Sequence, residues 1–176
     1  VFDGASEVAD AIRIDDTVTG APVVISGCTV RNYTNRFVYV SLSGKIESLT
    51  IDDCIFIGAD NSTTNKAIYA SSAHTQVETL SVTNSTFLNF NTGSNYFFRI
   101  NCGEELVLMP VVLIDHCTFY NCYDRRGVYL YNAGRSTIKN CISAFSERRD
   151  DTKSFTAYGD ESIVKNVISY NVDLYG

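Results

Sequence analysis

The chain has 176 residues, of which 45% are hydrophobic and 19% charged, and its formal net charge at pH 7 is −6. This length fits one domain, and the apolar content is enough for a sizeable core, so wholesale disorder is excluded. The acidic balance excludes a typical nucleic-acid-binding protein, which would present a basic face. No apolar run approaches the roughly 18 residues of a membrane-spanning helix, so we expect no membrane span.

The residue types predict an all-β protein. The chain contains 11 Tyr and 10 Phe but only 2 Pro, and Val, Ile and Thr are frequent. Aromatic and β-branched residues are enriched in strands. We also expect one domain over residues 1–176, as a fragment or the C-terminal domain of a longer protein with flanking domains, because its end coils have no evident cap.

In chain order, the first predicted strand is a segment in which inward-facing apolar residues alternate with outward-facing residues. Its copies are AIRID (11–15), FVYVS (37–41), AIYAS (67–71), FFRIN (97–101), GVYLY (127–131) and, more loosely, SFTAY (154–158). Alternation with a period of two places Ile12, Val38 and their equivalents on the inner face.

A ten-residue segment follows each of these strands. Its copies are VVISGCTVRN (23–32), LTIDDCIFIG (49–58), LSVTNSTFLN (80–89), VLIDHCTFYN (112–121), STIKNCISAF (136–145) and SIVKNVISYN (162–171). Each contains two short strands joined by one bend residue. The bend residues are Gly27, Asp53, Asn84, His116, Asn140 and Asn166. These residue types tolerate the left-handed conformation, so we predict a positive φ at each.

Three strands per repeat cannot bury their apolar side alone, so successive repeats must stack. The sequence therefore predicts an all-β, single-stranded parallel β-helix (β-solenoid) of about six coils with three short strands per coil. Parallel connections are right-handed as a rule, so we expect right-handed coiling.

Two repeats share the longer pattern NST-F-x-N (84–89) and HCT-F-x-N (116–121). In this the chain resembles the right-handed β-helices of the pectate-lyase-like superfamily, and short β-helical domains of unknown function in surface proteins of glycan-degrading gut bacteria. The resemblance implies a bacterial, extracellular or cell-surface location, in a secreted or lipoprotein-anchored parent. It does not imply one activity, because this fold carries lyases, hydrolases, esterases, adhesins and non-catalytic domains.

The cysteines predict core packing rather than chemistry. Cys28, Cys54, Cys117 and Cys141 each follow a bend residue. We interpret them as a ladder of buried free thiols that act as small apolar side chains. Cys102 and Cys122 lie outside this ladder, and whether they pair stays open. No C-x-x-C spacing occurs, so we expect no zinc site.

The two histidines carry little functional signal. His116 occupies a bend position, where we interpret it as a turn residue rather than a catalytic one. His74 lies in the loop SSAHTQVE and has no partner evident in the sequence.

The outward positions of the alternating strand form the candidate ligand site. One row contains Arg13, Tyr39, Tyr69, Arg99 and Tyr129, and the row beside it contains Asp15, Ser41, Ser71, Asn101 and Tyr131. Aromatic rings present flat apolar faces, and arginine donates charge-assisted hydrogen bonds to carboxylates or sulfates. We predict that the first row and Tyr131 bind a repeating polymer such as a polysaccharide. The alternative is that stacked tyrosines only stabilise the strands.

The loops before this strand hold the candidate catalytic residues. The resemblance implies that polysaccharide enzymes of this fold bind substrate on the strand after such loops. Its lyases use Lys or Arg as the base, often with Ca²⁺ held by acidic residues. It thus implies Arg126, Arg148 and Arg149 as base candidates and Asp150 and Asp151 as Ca²⁺ ligands. The alternative is a run of solvated loop charges.

Together these observations predict a non-catalytic or accessory domain that binds a polysaccharide or oligosaccharide and needs no cofactor. The first alternative is a polysaccharide lyase acting on uronic-acid-containing glycans, with Ca²⁺ as a cofactor. The second is a structural spacer or adhesin segment. A short rod with few long insertions weighs against an enzyme, because a catalytic cleft needs walls.

Overall fold

The computed structural model describes residues 1–5, 8–15, 21–41, 45–58, 66–72, 76–90, 98–102, 111–122, 128–131, 134–144, 155–157 and 161–170. These ranges contain 19 strands and no helix. Within them, no helix is therefore long and apolar enough to cross a membrane.

The strands form three sheets in which all neighbours are parallel. Sheet 1 contains β2 (Asp10–Ile14), β5 (Arg36–Val40), β8 (Lys66–Ser72), β11 (Phe98–Cys102), β14 (Val128–Tyr131) and β17 (Phe155–Ala157). Sheet 2 contains β3 (Val23–Ser26), β6 (Lys45–Asp52), β9 (Gln76–Thr83), β12 (Val111–Asp115), β15 (Arg135–Lys139) and β18 (Glu161–Lys165). Sheet 3 contains β1 (Phe2–Asp3), β4 (Thr29–Arg31), β7 (Ile55–Ile57), β10 (Thr86–Leu88), β13 (Thr118–Tyr120), β16 (Ile142–Ala144) and β19 (Ile168–Tyr170).

The fold class is confirmed, because consecutive strands fall in different sheets and the chain returns to each sheet one level further on. The predicted register is also confirmed: Val38 pairs with Ile12 and Ile68, and Leu80 pairs with Leu49 and Val112. About four levels, from β5–β7 to β14–β16, have a neighbour on both sides. The number of coils is therefore about four rather than the predicted six, because the predicted count includes the first and last levels, which lack a full set of neighbouring strands among the described residues. Right-handed coiling stays a prediction.

The bends between sheets 2 and 3 are those that the sequence predicts. All six bend residues have a positive φ, between 50° and 63°. A second set of left-handed residues, which we did not predict, ends the sheet 3 strands: Asn32, Asn89 and Asn121 have φ values of 60°, 57° and 54°. Asparagine tolerates this conformation, and its recurrence at the last position of the repeat is the signal that could have revealed the corner.

Aromatic stacking fills the centre of the solenoid. Phe56, Phe87 and Phe119 occupy the same position on successive levels and are buried. Their ring centroids lie 5.1 Å and 4.9 Å apart, with interplanar angles of 11° and 12°. Burying each ring contributes about 1.5–3 kcal/mol, so this column joins adjacent levels into one core.

The thiol ladder also lies in the core. Cys54, Cys117 and Cys141 are buried free thiols, and Cys28 is half-buried. A hydrogen bond with Cys141, together with burial, raises the pKa of Cys117 well above its ordinary value. Cys122 is buried as well, and its Sγ lies 3.5 Å from the carbonyl oxygen of Phe87. The side chain of Cys102 lies outside the described residues, so the pairing of Cys102 with Cys122 stays open.

Candidate ligand-binding face

The outer face of sheet 1 carries the predicted row of tyrosine and arginine side chains. Tyr39 pairs in register with Arg13 and with Tyr69. Arg99 pairs with Tyr69 and with Tyr129. Each of five successive levels therefore contributes one member, and we call this row the Tyr/Arg stripe.

Exposure decreases along the stripe. Arg13 is exposed, Tyr39, Tyr69 and Arg99 are half-buried, and Tyr129 has only 6% of its surface exposed. The ring of Tyr129 stacks on that of Tyr131, with centroids 5.8 Å apart and an interplanar angle of 8°. The accessible part of the stripe therefore runs from Arg13 to Arg99, and Tyr129 has little surface to offer a ligand.

Cationic side chains lie against both accessible rings. The Cζ atoms of Arg36 and Arg13 lie 3.4 Å and 5.4 Å from the ring centroid of Tyr39. The Nζ atom of Lys66 and the Cζ atom of Arg99 lie 5.2 Å and 5.9 Å from the ring centroid of Tyr69. These distances allow cation–π attraction, which holds the rings in place.

Sequence reasoning missed two of these cations. Arg36 and Lys66 are paired in register, each three residues before the tyrosine of its strand. The repeated spacing, R-x-x-Y at 36–39 and K-x-x-Y at 66–69, could have revealed them. The two rings themselves lie 6.2 Å apart, with a tilt of 43° between their planes.

Two carboxylates orient the arginines. Asp10 accepts hydrogen bonds from Nε and Nη2 of Arg36, at 2.8 Å and 3.0 Å. Asp15 accepts from Nε of Arg13, at 2.7 Å and 2.8 Å. The bonds from Arg13 lower the pKa of Asp15 and raise that of Arg13, so both groups stay charged. The bidentate pair of Arg36 with Asp10 fixes the direction of that guanidinium group, whereas in the second pair one nitrogen, Nε of Arg13, is shared by both oxygens of Asp15.

The charge on this face is opposite in sign to that of the whole chain. The stripe and its flanking residues contain four cations among the described positions, Arg13, Arg36, Lys66 and Arg99. The same face carries the two carboxylates of Asp10 and Asp15. A chain with a net charge of −6 thus presents a local excess of positive charge beside two accessible rings.

The second polar feature is the row of bend residues between sheets 2 and 3, which we call the bend ladder. Oδ1 of Asp115 lies 2.7 Å from Nδ1 of His116 and accepts a hydrogen bond from Nδ2 of Asn140 at 2.9 Å. Nδ2 of Asn166 donates to Oδ1 of Asn140 at 3.2 Å. His116 thus contacts the carboxylate of Asp115 at the end of β12, and the next bend residue, Asn140, binds the same carboxylate.

The candidate lyase residues lie outside the described residues. These are Arg126, Arg148, Arg149, Asp150 and Asp151. The loop residue His74 lies outside the described residues as well. The described ranges contain no group of three or more His, Cys, Asp or Glu side chains that could hold a metal ion. Of the predicted site residues, those that the structure describes are the members of the Tyr/Arg stripe and Tyr131.

Residues 2–90, or 89 of the 176 residues, match the model of DUF4957, a domain of unknown function. The chain belongs to the DUF4957 family. Its matched part contains Arg13, Tyr39 and Tyr69, which are three of the five members of the stripe. Searches of curated proteins and of solved structures found no significant match.

Proposed function

We propose that this DUF4957 domain is a non-catalytic module that binds a polysaccharide along the outer face of sheet 1. The observation that carries the proposal is the in-register row from Arg13 to Arg99, in which cations lie against two accessible tyrosine rings. The resemblance to pectate-lyase-like β-helices and to domains of gut-bacterial surface proteins supports a polysaccharide ligand and an extracellular or cell-surface location.

The rings supply the apolar part of the proposed contact. A tyrosine ring is a large flat surface with a polar tip, so it can pack against the C–H face of a sugar while its hydroxyl binds water or ligand. Tyr39 and Tyr69 are held by their cations and lose little freedom on binding, which favours affinity. Because neighbouring parallel strands lie about 4.8 Å apart, the stripe offers a periodic surface to a periodic ligand.

The cationic side chains supply the polar part of the proposed contact with the polysaccharide. Guanidinium groups bind carboxylates and sulfates through charge-assisted, often bidentate hydrogen bonds. Arg36 is already bound at two nitrogens by Asp10, so its charge acts mainly as a local field. The Cζ atom of Arg13 lies over the ring of Tyr39, 5.4 Å from its centroid, and the Nζ atom of Lys66 lies over the ring of Tyr69, 5.2 Å from its centroid. We therefore propose that acidic polysaccharides bind more tightly than neutral ones, and that added salt weakens this preference.

Affinity electrophoresis tests the proposal. The protein should be retarded by polygalacturonate or alginate more than by a neutral glucan. The double variant Tyr39→Ala/Tyr69→Ala should lose at least about tenfold in affinity, because stacked aromatic anchors dominate such contacts. Tyr120→Ala is the matched control, since Tyr120 is an exposed tyrosine on sheet 3.

Three results would overturn the proposal. The protein could bind none of the polysaccharides, or Tyr120→Ala could weaken binding as much as the double variant does. The third is a Ca²⁺-dependent rise in ultraviolet absorbance from unsaturated products, which would show a lyase and contradict the non-catalytic part.

A further inference from the structure

One carboxylate contacts both arginines that lie over the ring of Tyr39. Oδ1 of Asp10 accepts a hydrogen bond from Nε of Arg36 at 2.8 Å, and Oδ2 accepts one from Nη2 of Arg36 at 3.0 Å. The same Oδ2 atom lies 3.7 Å from Nη1 of Arg13. Asp10 therefore joins the two cations whose Cζ atoms lie 3.4 Å and 5.4 Å from the ring centroid of Tyr39. We call Asp10, Arg36 and Tyr39 the clamp.

Asp10 itself has little surface to offer a ligand. Only 7% of its side-chain surface is exposed, compared with 18% for Arg36. A carboxylate at such a position is costly unless a partner binds it, and the guanidinium fork of Arg36 binds both of its oxygens. Any contribution of Asp10 to ligand binding is therefore indirect, through the direction that it gives to Arg36 and hence to the ring of Tyr39.

The second accessible ring, Tyr69, has a different arrangement. Lys66 pairs in register with Arg36, just as Arg36 pairs with Asp10. The column beside the stripe is thus a carboxylate, a guanidinium and an ammonium on three successive levels. The register neighbour of Lys66 on the preceding level is a cation, and an ammonium group lacks the planar fork that binds a carboxylate at two points. The clamp therefore acts on Tyr39, and Tyr69 serves as an internal reference.

We propose that Asp10 is a positioning residue of the ligand-binding face, which fixes the ring of Tyr39 through Arg36 before a ligand binds. This inference rests on the proposed function and adds the group that preorganises its site. Ordering one side chain during binding costs a factor of about two to ten in affinity, and the clamp removes that cost for Tyr39. Asp10 also offsets the charge of Arg36. Its loss should therefore weaken the ring contact and strengthen the ionic attraction for an acidic polymer.

Calorimetric titration with oligogalacturonate at two salt concentrations separates these two effects. At about 1 M salt the Debye length is about 3 Å, so the affinity reports mainly on the ring contact. There, Asp10→Asn should bind about two- to tenfold more weakly than the native protein. At about 0.01 M salt the loss should be smaller, because the charge of Arg36 is no longer offset. Asp15→Asn is the charge-matched control on the same face, and at high salt it should bind as the native protein does.

A second measurement needs no ligand. In ¹H–¹³C NMR spectra of the free protein, the ring resonances of Tyr39 should move in Asp10→Asn, and those of Tyr69 should stay unchanged. Asp10→Glu keeps the carboxylate and should return the Tyr39 resonances toward their native positions. The double variant Asp10→Asn/Arg36→Gln leaves no lone charge in place of the pair, so it extends the test if Asp10→Asn does not fold. It should move the Tyr39 resonances and weaken high-salt binding by the same factor.

Either of two results overturns the positioning role of Asp10. The first is a set of Tyr39 resonances that stays unchanged when Asp10 or the pair is replaced. The second is a high-salt loss of affinity that is as large in Asp15→Asn as in Asp10→Asn. Both leave native binding intact, which distinguishes them from failure of the proposed function, in which the native protein binds no polysaccharide at either salt concentration. Circular dichroism of each variant establishes that it is folded.

Discussion

Substitution of Asn140 separates backbone strain from side-chain hydrogen bonding in the bend ladder. Asn140 has a φ of 52°, and its side chain donates to Asp115 and accepts from Asn166. Asn140→Gly removes both hydrogen bonds but has no Cβ to strain, so we expect a loss of about 1–2 kcal/mol in the free energy of unfolding. Asn140→Val removes the same bonds and adds about 1–2 kcal/mol of left-handed strain. The expected total loss for Asn140→Val is therefore about 2–4 kcal/mol.

Urea denaturation of the native protein and the two variants measures these differences. Thr137→Val is the control, because Thr137 lies within β15 and valine suits an extended strand. It should change the free energy of unfolding by no more than about 0.5 kcal/mol. If Asn140→Val is as stable as Asn140→Gly, the left-handed bend does not store the strain that we assign to it.

Three further predictions concern backbone contact, pH and thiol reactivity. A Cβ at Gly58 would overlap the backbone carbonyl oxygen of Asn89 on the next level, whereas Gly27 has a φ of +63° and no atom within 4 Å of such a Cβ. In thermal denaturation, Gly58→Ala should therefore cost about 3 kcal/mol or more, and Gly27→Ala only about 1–2 kcal/mol; equal losses would contradict the close approach. Hydrogen bonds, first that from Thr83, hold the pKa of Asp52 below 3.8. A carboxyl group with a depressed pKa stabilises the fold when ionised, so its contribution is present above pH 3.8 and is lost as the pH falls through the lowered pKa. Asp52→Asn should flatten the acid limb of stability against pH, and an unchanged limb would contradict this role. The buried thiol of Cys117 should stay unlabelled by a maleimide in the native protein and react in denaturant, as mass spectrometry of its peptide would show; rapid native labelling would place it outside the core.

The repeat made most of the fold predictable. Only a few residue types adopt a left-handed φ, so the residue types at Asp53, Asn84 and Asn140 predict the bend. The strands on either side of the bend are predicted by the alternation of apolar and polar residues. The corner at Asn89 and Asn121 was missed because the aligned residue of an adjacent repeat is Gly58. At that position glycine is needed because the backbone carbonyl of Asn89 approaches closely, and not because φ is positive.

The candidate site was less predictable than the fold. Register places Tyr129 in line with Tyr69, but its burial depends on how the rings of Tyr129 and Tyr131 stack, which alternation does not specify. The contact between Arg36 and Tyr39 depends on a rotamer that Asp10 fixes across levels. Sequence patterns predict the face on which a residue lies. They do not predict how large neighbouring side chains pack against one another on that face.

The measurement that tests the proposed function most directly is an ¹H–¹⁵N NMR titration with an acidic oligosaccharide such as oligogalacturonate. We predict that the largest shift changes fall on backbone amides of β2, β5, β8 and β11 around Arg13, Tyr39, Tyr69 and Arg99. Amides of sheet 3 around Tyr120 should stay unchanged. Shift changes confined to sheet 3, or none at a concentration where polysaccharide retards the protein, would contradict binding at the Tyr/Arg stripe.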